Sequence, residues 1–124
     1  MRLVQARIVT RDVPRLARFY EFVLGVAAAG SEHYVELQTT GARVAISSEN
    51  AAAVCGTRGA SPCRNRSMVL DFEVDDVDAH RQRIAGVVAR FEQEPTNQPW
   101  GNRSMIFRDP DGNLINFYSR IPRR

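Results

Sequence analysis

Hydrophobic and polar positions change period four times along this chain, and the order of the changes occurs twice. Val4 to Thr10 alternates as a short strand, and Asp12-Val13-Pro14 then supplies a candidate N-cap with proline in the first helical turn. Leu16, Phe19, Tyr20, Val23 and Leu24 recur at helical spacing, and Gly25 is the stop expected just past a C-terminus. Tyr34 to Gln38 and Arg43 to Ser47 follow as strand-like runs joined by Thr39 to Ala42, while Ala27 to Gly30 is too small and irregular to assign. The first unit therefore reads as βαββ or βαβββ over about residues 1–48. Residues 49–66 are rich in Ala, Gly, Ser and Arg, show neither period, and read as a linker.

The pattern then restarts, from about residue 67 to 120. Met68 to Val74 reads as a strand, Asp75 to Asp78 opens a helix that runs through Ile84, and Gly86 is its expected end. Strand-like runs Val87 to Phe91 and Ser104 to Arg108 follow, and Asp109-Pro110-Asp111-Gly112 is a turn before a last strand, Asn113 to Ser119. Adding 64 to the numbering places Ile8 on Phe72, Asp12 on Asp76 and Val13 on Val77. A shift of 71 places Gly41 on Gly112 and Val44 on Ile115. The chain thus predicts an α+β fold of two tandem repeats. A helix can cover only one face of each sheet, so the other two faces are expected to line a cavity.

Composition narrows the function classes. A length of 124 residues with 44% hydrophobic content suits one globular domain. The net charge is +3, but its 17 basic residues alternate with 14 acids and form no block, so nucleic acid is not an expected partner. All of the basic side chains are Arg, each a planar fork for an oxyanion wherever it faces a pocket. No apolar run approaches the roughly 20 residues needed to span a membrane. Met1 to Ala6 has no signal-peptide core either, so a cytoplasmic location is expected. Cys55 and Cys63 lack a second pair to complete a zinc site and read as free thiols.

Three segments carry a resemblance. Arg11-Asp12-Val13 with Phe19-Tyr20 and Leu24-Gly25 resembles the first-helix signature of the vicinal oxygen chelate superfamily (glyoxalase, bleomycin resistance protein, dioxygenase). Phe72 to Asp78 resembles the strand and helix start of its second repeat. Pro99-Trp100-Gly101, followed by Phe107 to Ile115, resembles its C-terminal hairpin. The resemblance implies two βαβββ modules in a half-open, U-shaped barrel, usually as a homodimer. It also implies either metal-dependent lyase, isomerase or dioxygenase chemistry, or the binding of a drug. The fold by itself does not choose between them.

The ligand positions do bear on that choice. Where the family pattern commonly has His, six residues before Arg11 and at the matching point of the second repeat, this chain has Gln5 and Val69. Where it has its final Glu stands Asn116, whose first-repeat counterpart is Ala45, or Ser47 if the alignment is off by two. Divalent iron, zinc or nickel needs three or four nitrogen, sulfur or carboxylate donors, so no metal or other cofactor is expected. His80 falls at the repeat equivalent of Leu16 and reads as a half-buried helix residue, and His33 as a loop or strand-end position.

Alternation in the strands nominates what faces the cavity. On this reading Gln5 and Arg7 point inward while Ala6 and Ile8 pack on the helix, and Val69 and Asp71 point inward while Leu70 and Phe72 are core. Arg43, Ala45 and Ser47 share the inner face of one strand, and Asn116 and Tyr118 that of another. Arg7 and Asp71 are symmetry mates, read either as an ion pair or as a polar anchor for a ligand. Trp100 reads either as a flat face for a planar ligand or as plain packing. The sequence favours a metal-free protein that binds a small organic molecule, as antibiotic-sequestering members of the superfamily do. Its rivals are an enzyme, using Glu36, Glu73 or His33 as displaced metal ligands or Arg7, Asp71 and Tyr118 as an acid/base set, and a regulatory domain.

Overall fold

The computed structural model describes residues 1–54, 56–57 and 59–122, and divides the chain into two compact units, 1–64 and 65–124. The first contains strand β1 (Gln5–Thr10), helix α1 (Val13–Leu24), strands β2 (Ala29–Gly30), β3 (Tyr34–Gln38) and β4 (Arg43–Ser48), and helix α2 (Glu49–Val54). The second contains β5 (Val69–Glu73), α3 (Val77–Ile84), β6 (Phe91–Asn97), β7 (Asn102–Arg108) and β8 (Leu114–Arg120). Each unit builds one four-stranded mixed sheet, ordered β1-β4-β3-β2 in the first and β5-β8-β7-β6 in the second.

The duplication is visible in hydrogen-bond register. Gln5 pairs with Arg43 on the parallel β1 and β4, and Val69 pairs with Leu114 on the parallel β5 and β8. The first partners differ by 64 and the second by 71, the two offsets that the sequence repeat shows. The helix starts repeat as well. Asp12 and Asp76, also 64 apart, both sit at the N-cap with φ −139° and accept from the backbone N–H three residues on, at 3.1 Å in each case.

In the first unit Val35, Leu37, Val44 and Ile46 point to the covered side of the sheet and are buried, as are Leu16, Phe19, Tyr20 and Val23 of α1. Full burial of each Leu, Ile or Val side chain stabilises the fold by roughly 1.5–3 kcal/mol. Gly25 ends α1 in the left-handed conformation at φ 69°, and its N–H reaches the Glu21 carbonyl at 2.9 Å. In the second unit α3 is more polar and buries only Val77 and Ile84. The aromatic sheet residues compensate, with Phe117 meeting Phe72 at 5.7 Å and Phe107 at 5.2 Å between ring centroids, edge to face.

Two expectations are corrected, for the linker and for the strand after α3, and β2 completes the βαβββ order of the first unit. The segment read as a linker opens with α2, which Ser48 starts by accepting from the Ala51 N–H at 3.1 Å. Three alanines favour that helix, but Ala52 is its one buried residue, so no apolar period marks it in the sequence. Ala29–Gly30 is a short edge strand paired with Val35 and Glu36. Val87 to Phe91 is not a strand: Val87 and Val88 form the turn after α3, and β6 begins at Phe91 and continues through Pro95. The register of β6 slips between Gln93 and Thr96, and an edge strand with such an irregularity is where proline is tolerated.

Cys63 is an exposed free thiol, and Cys55 lies outside the described residues. Among the described residues no helix is long and apolar enough to cross a membrane.

Candidate functional site

The face of the first sheet opposite to the one that α1 packs on follows from its register. In the order β1, β4, β3 the rows are Gln5, Arg43, Gln38; then Arg7, Ala45, Glu36; then Val9, Ser47, Tyr34. Gln5, Arg7, Arg43 and Ser47 therefore share one face, with Ser47 buried and its Oγ without a hydrogen-bond partner among the described residues. A directional chain of hydrogen bonds runs across that face. Arg43 Nε donates to Gln5 Oε1 at 3.1 Å, Gln5 Nε2 donates to Tyr34 Oη at 3.2 Å, and Tyr34 Oη donates to Glu36 Oε2 at 2.7 Å.

Desolvation first, and the bond to Glu36 second, hold the Tyr34 phenol above its usual pKa; the Gln5 hydrogen bond and the Arg7 charge oppose them. The sequence nominates Glu36 only as a displaced metal ligand and does not nominate Tyr34, although alternation along β3, with Val35 and Leu37 buried, puts both on this face.

The second sheet carries the corresponding face. Asp71 lies beside Asn116, and Glu73 beside Tyr118. Asn116 Nδ2 donates to Asp71 Oδ1 at 2.9 Å, while Asn116 Oδ1 is buried without a partner among the described residues. Arg120 Nε reaches Glu73 Oε2 at 3.2 Å.

A pocket of about 470 Å³ opens in this unit, lined by Trp100, Gly101, Asn102, Tyr118, Arg120 and Ile121. The turn between β6 and β7 places Trp100 there. Gln98 N–H bonds the Asn102 carbonyl at 2.6 Å, Gly101 N–H bonds the Gln98 carbonyl at 3.1 Å, and Ile121 N–H bonds the Gly101 carbonyl at 2.9 Å. Gly101 takes φ 100°, which a side chain would resist. Trp100 is left 72% exposed, so plain packing does not account for it in this unit. Asn102, Arg120 and Ile121 were not foreseen, because the pocket forms between strand ends that no periodic pattern joins.

The positions that carry metal ligands in the family pattern do not fit a metal here. The pairing of Arg7 with Ala45 and of Asp71 with Asn116 makes Ala45, rather than Ser47, the counterpart of Asn116. Ala45 and Val69 carry no donor atom. The Gln5 oxygen faces the Arg43 guanidinium, and the Asn116 amide nitrogen faces Asp71. Among the described residues no three His, Cys, Asp or Glu side chains gather where they could hold an ion. His33 is exposed beside Glu32, at 3.5 Å. His80 packs edge to face on Phe117 at 5.3 Å, with Arg83 Nη2 at 2.8 Å from its Nδ1.

Comparison with known proteins agrees with the architecture. The solved structure of a glyoxalase/bleomycin resistance protein/dioxygenase family enzyme from Burkholderia phytofirmans PsJN superposes with a TM-score of 0.86 at 20% identity, covering 98% of this chain and 100% of that one. A protein of unknown function from Agrobacterium tumefaciens is 31% identical with a TM-score of 0.80, over 98% of this chain and 95% of that one. The uncharacterized protein YraH of Bacillus subtilis is 29% identical over 128 residues, covering 98% of this chain and all of its own length. With the family model matching residues 2–117, the chain belongs to the Glyoxalase/Bleomycin resistance protein/Dioxygenase superfamily.

Proposed function

We propose that this member of the superfamily binds a small organic molecule without a metal ion, and that its role is sequestration, of the kind that protects a cell from an antibiotic. The observation that carries the reading is the exposed indole of Trp100 on the wall of a pocket of about 470 Å³, with Tyr118 and the Arg120 guanidinium beside it. That volume is in the range of sites for drug-sized ligands. An indole and a phenol give flat apolar contact, and each keeps a polar handle to orient a ligand. The unsuitable donors at Gln5, Ala45, Val69 and Asn116 support binding over metal-assisted turnover. A homodimer in the cytoplasm goes with this reading, and sedimentation of the purified protein tests the dimer.

Trp100 is the one tryptophan of the chain, so its fluorescence reports on the pocket directly. Titration with antibiotics that carry a planar aromatic group, bleomycin with its bithiazole among them, is expected to give a saturable blue shift for at least one compound. Calorimetry on Trp100→Ala should then show affinity for that compound weakened by about tenfold or more. A panel that leaves the emission unchanged up to about millimolar concentration, which corresponds to only about 4 kcal/mol of binding, would remove the proposal.

A further inference from the structure

We infer that the face of the first sheet opposite α1 holds a second binding site, for the carboxylate of a monoanionic ligand, with Arg7 and Arg43 as its cations. This inference does not depend on Trp100. The face could neutralise itself and does not. Glu36 is level with Arg7 across Ala45 and diagonal to Arg43, within reach of long side chains in a sheet. Yet Arg7 and Arg43 each lack an ion-pair partner among the described residues, because the Glu36 carboxylate is held by the Tyr34 hydroxyl instead. The second unit behaves differently, with Arg81, Arg103, Arg108 and Arg120 each closing on an Asp or Glu at 2.6 to 3.2 Å.

The Gln5 to Tyr34 hydrogen bond explains how the charges stay apart. Gln5 lies in the row of Arg43 and Tyr34 in the row of Ser47, so their contact at 3.2 Å passes diagonally over the intervening Ala45. Ala45 is fully buried beneath it, and its methyl group is small enough to leave the bridge room. The bridge fixes the Gln5 amide, which accepts from Arg43 through Nε alone and leaves both terminal nitrogens of that guanidinium for a ligand. Arg7 is exposed and its backbone position is diagonal to that of Arg43 on the same face, so both planar forks can reach one ligand. Two like charges on one face favour an anion shared between them, and a guanidinium fork matches a carboxylate with two parallel hydrogen bonds. Two guanidiniums and one carboxylate leave the face a single net positive charge, which suits a monoanion better than a phosphate dianion.

Matched probes test this. Benzoate, benzamide and phenyl phosphate would be titrated into the full chain at low salt, followed by the Arg43 Nε–H resonance and by calorimetry. Benzoate is expected to bind about tenfold or more tighter than benzamide, and tighter than phenyl phosphate. Arg7→Gln and Arg43→Gln should each bring benzoate down to the benzamide level, while Trp100→Ala leaves the preference in place. Equal affinity for benzoate and benzamide, no binding of benzoate, or a preference that survives both arginine substitutions overturns the inference. Preference for phenyl phosphate overturns its ligand class.

Discussion

His80 shows how one side chain couples packing to protonation. Its ring lies edge-on to Phe117 at 5.3 Å, and Arg83 Nη2 is 2.8 Å from Nδ1, a contact in which the imidazole nitrogen must accept. Burial first, then the Arg83 charge, hold its pKa below the ordinary 6.5, against an opposing pull from Asp76 and Asp75. The folded state therefore binds the proton less readily than the unfolded chain. Its share of stability is intact above about pH 6.5 and is lost as pH falls from there through the depressed folded value. Urea unfolding of the protein and of His80→Gln at pH 7 and pH 5 should show a smaller loss of stability at pH 5 in the variant. An identical loss in both would mean that the imidazole is not desolvated. At this same scale the sequence reveals which residues share a face, since Gln5, Arg7, Arg43 and Ser47 follow from alternation. It does not reveal which neighbour each side chain chooses. The link from Gln5 to Tyr34 joins residues 29 apart on two strands with Ala45 between them.

Helices and strands were legible where one face is apolar and the ends carry caps. α1 has Asp12, Pro14 and Gly25 in their expected places, and six buried residues at helical spacing. α2 and β6 were not legible. The first buries a single side chain, and the second is an edge strand whose half-buried positions after Phe91 are Gln93 and Pro95, so no apolar alternation marks it. The same reasoning makes the caps testable. Asp12 and Asp76 each satisfy one backbone N–H that the helix cannot, so replacing either with alanine should lower stability by about 1 kcal/mol. Chemical denaturation of the two variants checks this. Asp12→Asn and Asp76→Asn keep the accepting oxygen and should stay close to the parent, whereas a loss as large as that of the alanine variants would point to charge rather than capping.

At the scale of the whole molecule, duplication sets the frame and individual residues set the chemistry. The 64-residue and 71-residue offsets recur in cap geometry and strand pairing, so the family scaffold is retained in both units. The positions suited to metal ligation within that scaffold have changed. Gln5 and Val69 are equivalent by the first offset, Ala45 and Asn116 by the second, and none is an imidazole or a carboxylate. Such an ion is held by several anionic or imidazole donors acting together, and its affinity falls steeply as they are lost. Untagged protein incubated with iron, zinc, nickel and manganese, then freed of excess, should therefore retain less than about a tenth of an equivalent of any of them by mass spectrometry. Close to one metal per chain would require donors outside these four positions, and Glu36 would be the first to replace. Glu36→Gln keeps an acceptor for the Tyr34 hydroxyl, so metal lost from that variant would come from the missing carboxylate rather than from a collapsed hydrogen-bond chain.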